Sequence, residues 1–410
     1  MKNSESDNLS MYFSTFVQEN NFKNGFLPQC VPGIVLPDSL FQYYNCIQSL
    51  SEYFSVSCDG VRPWLDKIFS SYDYTLDKVI DKLTQEEKYE FLTILSILIQ
   101  SYRWDKCPPA SAEYKRNTII FPKGLYTPWK TLSHHFSLPL SNTYYSIIAS
   151  NWTLKDKKPG DLYTLSDMRA DNIKLLYSWL KPPYEEQLAH FLLSFVELES
   201  FGALVIDCIT KAFSAIWDNN LGLLKVSLSE LDVAINQINR AFNKRIKIKN
   251  ISIEDWKEII HIPFGWGIIR DGKRLEGASG MQVSTLAMLN SFFGIASDSS
   301  IGKATLGSRV YLLPKQRKLL EILDNSNVLR TFVMEAKNTE LTTLYNKNLD
   351  SLVRWRVSHQ RRGHKYLAHP TNEMPQMATG LTLPDAGNSI DEIFYDEMED
   401  RITETRRTMV

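Results

Sequence analysis

The chain has 410 residues and is 43% hydrophobic and 12% aromatic, a composition that supports a large buried core and excludes a disordered protein. Its formal net charge is −1, which argues against a nucleic-acid partner because such binders usually carry a basic excess. Five scattered cysteines without a C-x-x-C pair, together with no evident signal peptide or membrane span, predict reduced thiols in a cytoplasmic protein.

The first 170 residues predict a smaller, mostly helical N-terminal domain. Three prolines within residues 1–37 favour an irregular arm, and five between residues 104 and 140 favour a loop with a short strand at 118–121. Thr84 followed by Glu87 is a capping-box pattern that begins a helix. Apolar residues at helical spacing predict helices within residues 38–69, 77–83, 84–102 and 142–152.

Residues 171–410 predict a larger domain that is built from helices, so the fold class is all-α. The apolar segment 183–217 contains Glu197 and Glu199, which predicts a buried helix of a bundle rather than a membrane span. Further helices are predicted at residues 171–180, 221–247, 253–260, 281–293, 312–323, 328–336, 341–366 and 391–407.

The helix predicted from Leu341 to Tyr366 has the clearest apolar stripe in the chain. His359 lies near the middle of this stripe, one turn after Trp355, and Arg356 is one of several arginines around it. An imidazole that points into an apolar interior needs a partner, which is a hydrogen-bonding group or a metal ion. The pattern favours a core histidine bonded to a carbonyl. It leaves open an axial ligand of haem iron, because the arginines could pair with haem propionates.

A run of small residues, Gly277-Ala278-Ser279-Gly280, stands directly before the helix predicted at 281–293. Small residues of this kind are common in a tight turn that caps a helix. They also allow a backbone to approach a flat ligand closely. The run agrees with either use.

Several stretches along the chain together carry a family resemblance. The segment 341–367 around His359 carries it best, and the turn at 276–284, ending in Gln282 and Ser284, is a second part. The other parts are Phe121-Pro122, Thr127-Pro128-Trp129, Leu138-Pro139, Tyr144, Asn151-Trp152, Asn327-Val328-Leu329-Arg330-Thr331-Phe332-Val333 and Thr379-Gly380-Leu381-Thr382. In this order and at this spacing, they resemble the indoleamine 2,3-dioxygenase family of histidine-ligated haem dioxygenases.

The resemblance implies that haem b is the cofactor, that His359 is its iron ligand, and that the N-terminal domain covers the distal pocket. Further haem contacts are expected from Arg356, Ser279 and Gly280. Substrate contacts are expected from Tyr144, Phe191, Ser194, Ala278, Ser279 and Thr382. The implied reaction inserts both atoms of O2 across the indole C2–C3 bond of tryptophan or a tryptophan-derived substrate. It needs an electron donor that reduces the haem.

Three positions depart from the family pattern. The pocket serine matches Ser194 only if later residues fall one place out of step, and an ungapped match puts Leu193 there instead. The arginine that usually binds the substrate carboxylate corresponds to Ile260, with His261 beside it, and an aliphatic side chain cannot replace a guanidinium. The expected acidic position in the helix at 281–293 is Asn290. We therefore expect a tryptophan derivative whose carboxylate is absent, modified or held differently.

Other functions agree with the same residues. A haem enzyme that carries out a monooxygenation or a rearrangement of an indole would use the same haem contacts. A non-catalytic haem-binding sensor would use them as well. The simplest alternative is a helical protein in which His359 is a core histidine and no haem binds.

Overall fold

The computed structural model confirms an all-α protein, and it describes residues 4–55, 57–110, 112–113, 116–326, 328–367 and 390–410. Helices make up most of these residues, and the strands within them form two short antiparallel pairs. None of the helices described is long and apolar enough to cross a membrane. The division of the chain near residue 170 stays a prediction.

Two helices of the N-terminal part lie where the sequence predicts irregular structure. Residues 4–19 are helical, and residues 123–135 form a helix with Pro128 inside it. That helix tolerates a missing hydrogen bond because one of its faces, with Leu125 and Trp129, is fully buried. The helices of this part are α1 (Ser4–Glu19), α2 (Phe41–Tyr53), α3 (Val61–Phe69), α4 (Thr75–Lys82), α5 (Gln85–Trp104) and α6 (Lys123–His135).

Helix α5 is the central helix of the N-terminal part. It begins at the predicted capping box, where the Thr84 hydroxyl accepts from the N–H of Glu87 at 3.2 Å and the Glu87 carboxylate accepts from the N–H of Thr84 at 2.7 Å. From Glu90 to Trp104 every side chain is buried. Helices α2, α3 and α6 pack around it, which explains the apolar character of all its faces.

An antiparallel pair of strands replaces the helix predicted at residues 171–180. The pair consists of β1 (Trp152–Leu154) and β2 (Ile173–Leu175). The Asn151 side chain stabilises the pairing, because it donates to the carbonyl of Tyr177 at 3.0 Å and accepts from its N–H at 2.8 Å. Strands that pair across a long connection are not visible as a local period, so the apolar spacing was misleading here.

Two further short elements are a π-helical turn and a hairpin. A π-helical turn, Tyr145–Ala149, occupies part of the helix predicted at residues 142–152. Strand β3 (Ile269–Arg270) pairs with β4 (Lys273–Arg274) in a short hairpin.

The long helix predicted at residues 183–217 is two helices, and other parts of the chain pack closely against the place where they meet. A Cβ atom on Gly25 would lie 2.6 Å from the nitrogen of Ala203, and one on Gly202 would lie 2.7 Å from Oγ1 of Thr285. Neither position has room for a side chain. The helices of the C-terminal part are α7 (Tyr184–Ser200), α8 (Gly202–Trp217), α9 (Leu221–Arg245), α10 (Ser284–Phe292), α11 (Ser300–Gly307), α12 (Pro314–Asp324), α13 (Val328–Ala336), α14 (Thr339–Leu367) and α15 (Ile390–Arg407).

Helix α9 is the centre of the C-terminal part, where it packs against α7, α8 and α14. Helix α14 also packs against α15. Its predicted apolar stripe faces this core, since Leu341, Tyr345 and Leu352 are buried. Beyond Leu352 the same stripe reaches a cavity, and His359 lies on its wall.

Candidate active site

The cavity beside His359 has a volume of about 280 Å³ and lies among α7, α9, α10, α11, α14 and α15. This volume is close to the lower end of the range for small-molecule pockets, about 300 Å³. Most of its wall is aromatic or aliphatic, as in a site for an apolar ligand with a few directed polar contacts. Its polar and charged side chains are His261, Ser279, Asn290, Thr305, Arg356, His359, Arg362, Glu397 and Arg401.

The His359 imidazole is surrounded by aromatic rings. It stacks on Trp355 with ring centroids 5.3 Å apart, and it meets the rings of Phe242 and Phe394 edge-on at 5.6 and 5.4 Å. Its buried Nδ1 atom has no hydrogen-bond partner within the described part of the chain. Burial, and secondarily the charge of Arg356, lowers the pKa of His359 to about 4. The imidazole is therefore neutral at physiological pH, the form that ligates metals.

Arg356, one turn before His359, is buried and held by neutral acceptors. Its guanidinium donates to Oδ1 of Asn290 at 2.6 Å and to the carbonyl of Arg401 at 3.2 Å. Its Nε atom is buried without a partner among the residues described. Burial, with the nearby charge of Arg401, lowers the pKa of Arg356 to about 9, so it stays charged at neutral pH. Because Asn290 stands at the expected acidic position, a positive charge here is available for an anionic group.

The small-residue turn forms another part of the cavity wall, with Ser279 and Gly280 facing the cavity and Ala278 buried behind them. Gln282 stabilises the turn by donating to the carbonyl of Gly277 at 2.8 Å. Gln282 also accepts from the N–H of Tyr144 at 2.8 Å, which ties the turn to the N-terminal part of the chain.

A buried carboxylate caps the helix that follows this turn. Glu199 of α7 accepts from the N–H of Ser284 at 2.7 Å and from the N–H of Thr285 at 3.1 Å, and also from the Thr285 hydroxyl. These donors satisfy the free N–H groups at the start of α10. Burial raises the pKa of Glu199 to about 7, although its hydrogen bonds act in the opposite direction.

Phe191 lines the cavity, as a predicted substrate contact should, whereas Ser194 and Tyr144 lie behind the wall. The Ser194 hydroxyl donates to the carbonyl of Phe191 at 2.7 Å, and the Tyr144 hydroxyl donates to the carbonyl of Phe195 at 3.3 Å. Phe195, one turn after Phe191, faces the cavity and is a contact that the sequence analysis missed. The spacing of four residues on one helix face could have revealed it. Thr382 lies outside the described residues.

The cavity wall next to Phe191 also contains Trp256 and His261, while Ile260 is fully buried in the core. The His261 ring lies against Trp256 with centroids 5.0 Å apart, and Trp256 meets the ring of Phe191 at 4.5 Å. Trp256 also meets the ring of Tyr366, from α14, at 5.6 Å. Ile260 and His261 are adjacent in the sequence, and the structure brings only His261 to the cavity.

The residues around His359 fit a haem. Haem requires one strong axial ligand, an apolar cavity and cations for its propionates. The cavity offers a neutral imidazole, an aromatic wall, and the guanidinium groups of Arg356 and Arg362. The alternative of a core histidine requires a hydrogen-bond partner for the ring, and Nδ1 of His359 has none among the residues described.

Comparison with protein families matches residues 19–251 and 261–405 to "Indoleamine 2,3-dioxygenase". The chain belongs to the indoleamine 2,3-dioxygenase family. It is 23% identical over 361 residues to indoleamine 2,3-dioxygenase 2 of Homo sapiens, which covers 82% of this chain and 81% of that protein. It is 25% identical over 272 residues to indoleamine 2,3-dioxygenase 1 of Rattus norvegicus and of Mus musculus, each covering 62% of this chain and 64% of the relative.

Membership in the indoleamine 2,3-dioxygenase family confirms the resemblance that the sequence motifs carry. It supports a dioxygenase of this family's type, for which haem iron and O2 are the expected cofactor and co-substrate. The family match is interrupted between residues 251 and 261, and this gap contains the π-helical turn Trp256–Ile260. The chain therefore departs from its family in the segment that leads directly to His261.

Proposed function

We propose that this protein is a haem-dependent dioxygenase that inserts O2 across the C2–C3 bond of a tryptophan-derived indole, and that His359 would hold the haem iron. One observation carries the proposal: a neutral, buried imidazole whose Nδ1 has no partner stands on an aromatic cavity in a member of this family. A neutral imidazole offers a lone pair to iron without first losing a proton.

Charged residues of the cavity would hold the haem. Arg356 and Arg362 flank His359 by one turn on either side, so both can reach the edge of a group bound to it. Arg356 would pair with a propionate, because its neutral partner Asn290 leaves the guanidinium charge uncompensated. Ser279 and Gly280 would line the haem edge, because a turn of small residues permits close approach. When bound, the haem would supply the ferrous iron that activates O2.

The aromatic wall would orient the indole and exclude water. Phe191, Phe195 and Trp256 present large apolar rings to the cavity, and aromatic rings prefer offset or edge-on contact with another aromatic ring. Tyr144 and Ser194 would act through the wall by fixing the backbone of Phe195 and Phe191.

Two further substrate contacts predicted from the family stay part of the proposal. Ala278 would shape the small-residue turn from behind, since it is buried next to Ser279. Thr382 would meet the substrate from a segment outside the described residues. An external electron donor would keep the iron ferrous.

Labelled oxygen tests the reaction type directly. Haem-loaded protein is reduced, exposed to ¹⁸O2 and supplied with a panel of tryptophan derivatives, and the products are examined by mass spectrometry. We expect two labelled atoms in a product whose indole ring has opened. One labelled atom would indicate a monooxygenase, and none would indicate a rearrangement. Binding of indoles without any product would indicate a haem sensor, and each of these three results would contradict the proposed dioxygenation.

A further inference from the structure

His261 is a buried polar side chain on the apolar wall of the cavity. Only 8% of it is exposed, and its Nδ1 atom is buried without a hydrogen-bond partner in the described part of the chain. Its ring packs on Trp256, which in turn contacts Phe191. A buried imidazole without a partner is unfavourable in a folded protein, and this ring lies on the wall of a ligand cavity, so its position points to a partner that the ligand supplies to Nε2, the ring nitrogen that is not closed off.

The backbone explains why His261 reaches the cavity. Its N–H donates to the carbonyl of Trp256 at 2.8 Å, five residues earlier, which is the bond of a π-helical turn. Such a turn contains one residue more than an α-helical turn, so it changes the direction in which the next side chain points. Ile260 therefore packs in the core, fully buried, and His261 takes the place on the cavity wall.

Burial rather than a neighbouring charge sets the electrostatics of His261. Burial lowers the pKa of His261 to about 4, and no charged group among the described residues contributes to this shift. The arginines of the cavity have other partners, since Arg401 pairs with Glu404 and Arg362 donates to Asn243, and Arg356 is the residue that would pair with a haem propionate. A free carboxylate placed against His261 would lose its hydration without meeting a counter-charge, which is strongly unfavourable.

We infer that His261 binds the substrate, and that it selects an indole whose side chain ends in an uncharged hydrogen-bonding group, such as an amide, over one that ends in a free carboxylate. The inference rests on the proposed function and deepens it by naming a substrate class. The ring nitrogen of a neutral imidazole that faces the ligand either donates to the carbonyl of an amide or accepts from its N–H, depending on the tautomer. His261 thus takes a position at which a guanidinium would have favoured an acid.

Equilibrium binding to the haem-loaded protein tests this selection without relying on turnover. The probes are indole-3-propionamide and indole-3-propionic acid, which differ only in the terminal group, and the readout is the shift of the Soret band on titration. We expect the wild type to bind the amide at least tenfold more tightly than the acid. His261→Phe should abolish this preference, and His261→Arg should reverse it, because a guanidinium pairs with the acid.

A matched control separates the role of His261 from general loss of an imidazole. His190→Phe removes a partly buried histidine of α7 that does not line the cavity, and it should keep the wild-type preference. Haem content and helicity should be equal in all variants. The inference is wrong if the wild type binds the acid as tightly as the amide, or if His261→Phe keeps the preference. A wild type that binds no haem, or neither indole, would instead overturn the proposed function and this inference together.

Discussion

The two sides of the cavity differ in how they relate to the family. The side formed by α14 presents His359 and Arg356 at the spacing that the family resemblance implies, inside a matched segment. The other side contains the π-helical turn Trp256–Ile260, which the family match leaves out, and His261 follows directly after this turn. The chain thus follows the family pattern where it presents His359 and departs from it in the segment that leads to His261.

The largest effect is expected at a contact between two helices of the cavity wall. Glu199 belongs to α7, which bears Phe191 and Phe195, and it caps α10, which follows the small-residue turn 277–280. Glu199→Ala would leave three buried donors without an acceptor, so we expect a loss of about 3 kcal/mol in the free energy of unfolding. Urea denaturation measures this loss.

The control for this change is Glu185→Ala, which removes an exposed carboxylate from the first turn of the same helix. It should cost less than about 1 kcal/mol, since an exposed charge near a helix N-terminus contributes little. Equal stability of the two variants would contradict the role of Glu199 in holding α7 and α10 together.

The pH dependence of stability tests the same carboxyl group. The pKa of Glu199 is raised by burial from its ordinary value of 4.5 to about 7 in the folded protein. Between pH 4.5 and 7, Glu199 keeps its proton in the folded state and releases it in the unfolded state. The stability that this proton contributes is therefore complete below pH 4.5 and is lost as the pH rises to 7.

The variant Glu199→Gln cannot titrate, so its stability should lack this decline. We expect the difference in unfolding free energy between wild type and Glu199→Gln to change by about 3 kcal/mol across this window. Denaturation of both proteins at several pH values measures the change. A difference that is independent of pH would contradict the raised pKa of Glu199.

A smaller effect is expected on the α14 side. Arg356→Met would remove a buried cation that is held by a neutral amide and would pair with a haem propionate. We expect the equilibrium dissociation constant of haem to be about tenfold higher for the variant, which is a loss of about 1.4 kcal/mol in binding free energy. Transfer of haem to apomyoglobin measures it. The control Arg354→Met changes an exposed arginine on the same helix, and it should leave the dissociation constant of haem unchanged.

The sequence predicted those features of the site that depend on a single long helix. His359 and Arg356 could be found because the apolar stripe of residues 341–366 repeats over many turns, and such a pattern fixes which face is buried. Phe195 was accessible to the same logic, since it lies one turn after Phe191. His261 was noticed only through the missing arginine, and its orientation depends on a π-helical turn that no periodicity indicates.

The fold was predictable to a similar degree. Most helices with a regular apolar period, such as 221–245 and 339–367, lie close to their predicted positions. The helix 123–135 was missed because Pro128 is a strong local signal against helix, and burial of one face outweighs it. The strand 173–175 was mistaken for a helix, because its partner lies about twenty residues earlier and its pairing is not a local property.

An absorption spectrum tests the central claim most directly. Wild type, His359→Ala and His364→Ala are each supplied with haem, and the Soret band is recorded before and after reduction. His364 is an exposed histidine on the same helix, so its loss controls for general effects on α14. The account predicts a Soret band in the wild type that persists in His364→Ala and is lost or strongly shifted in His359→Ala. A wild type that binds no haem, or a His359→Ala spectrum equal to that of the wild type, would contradict it.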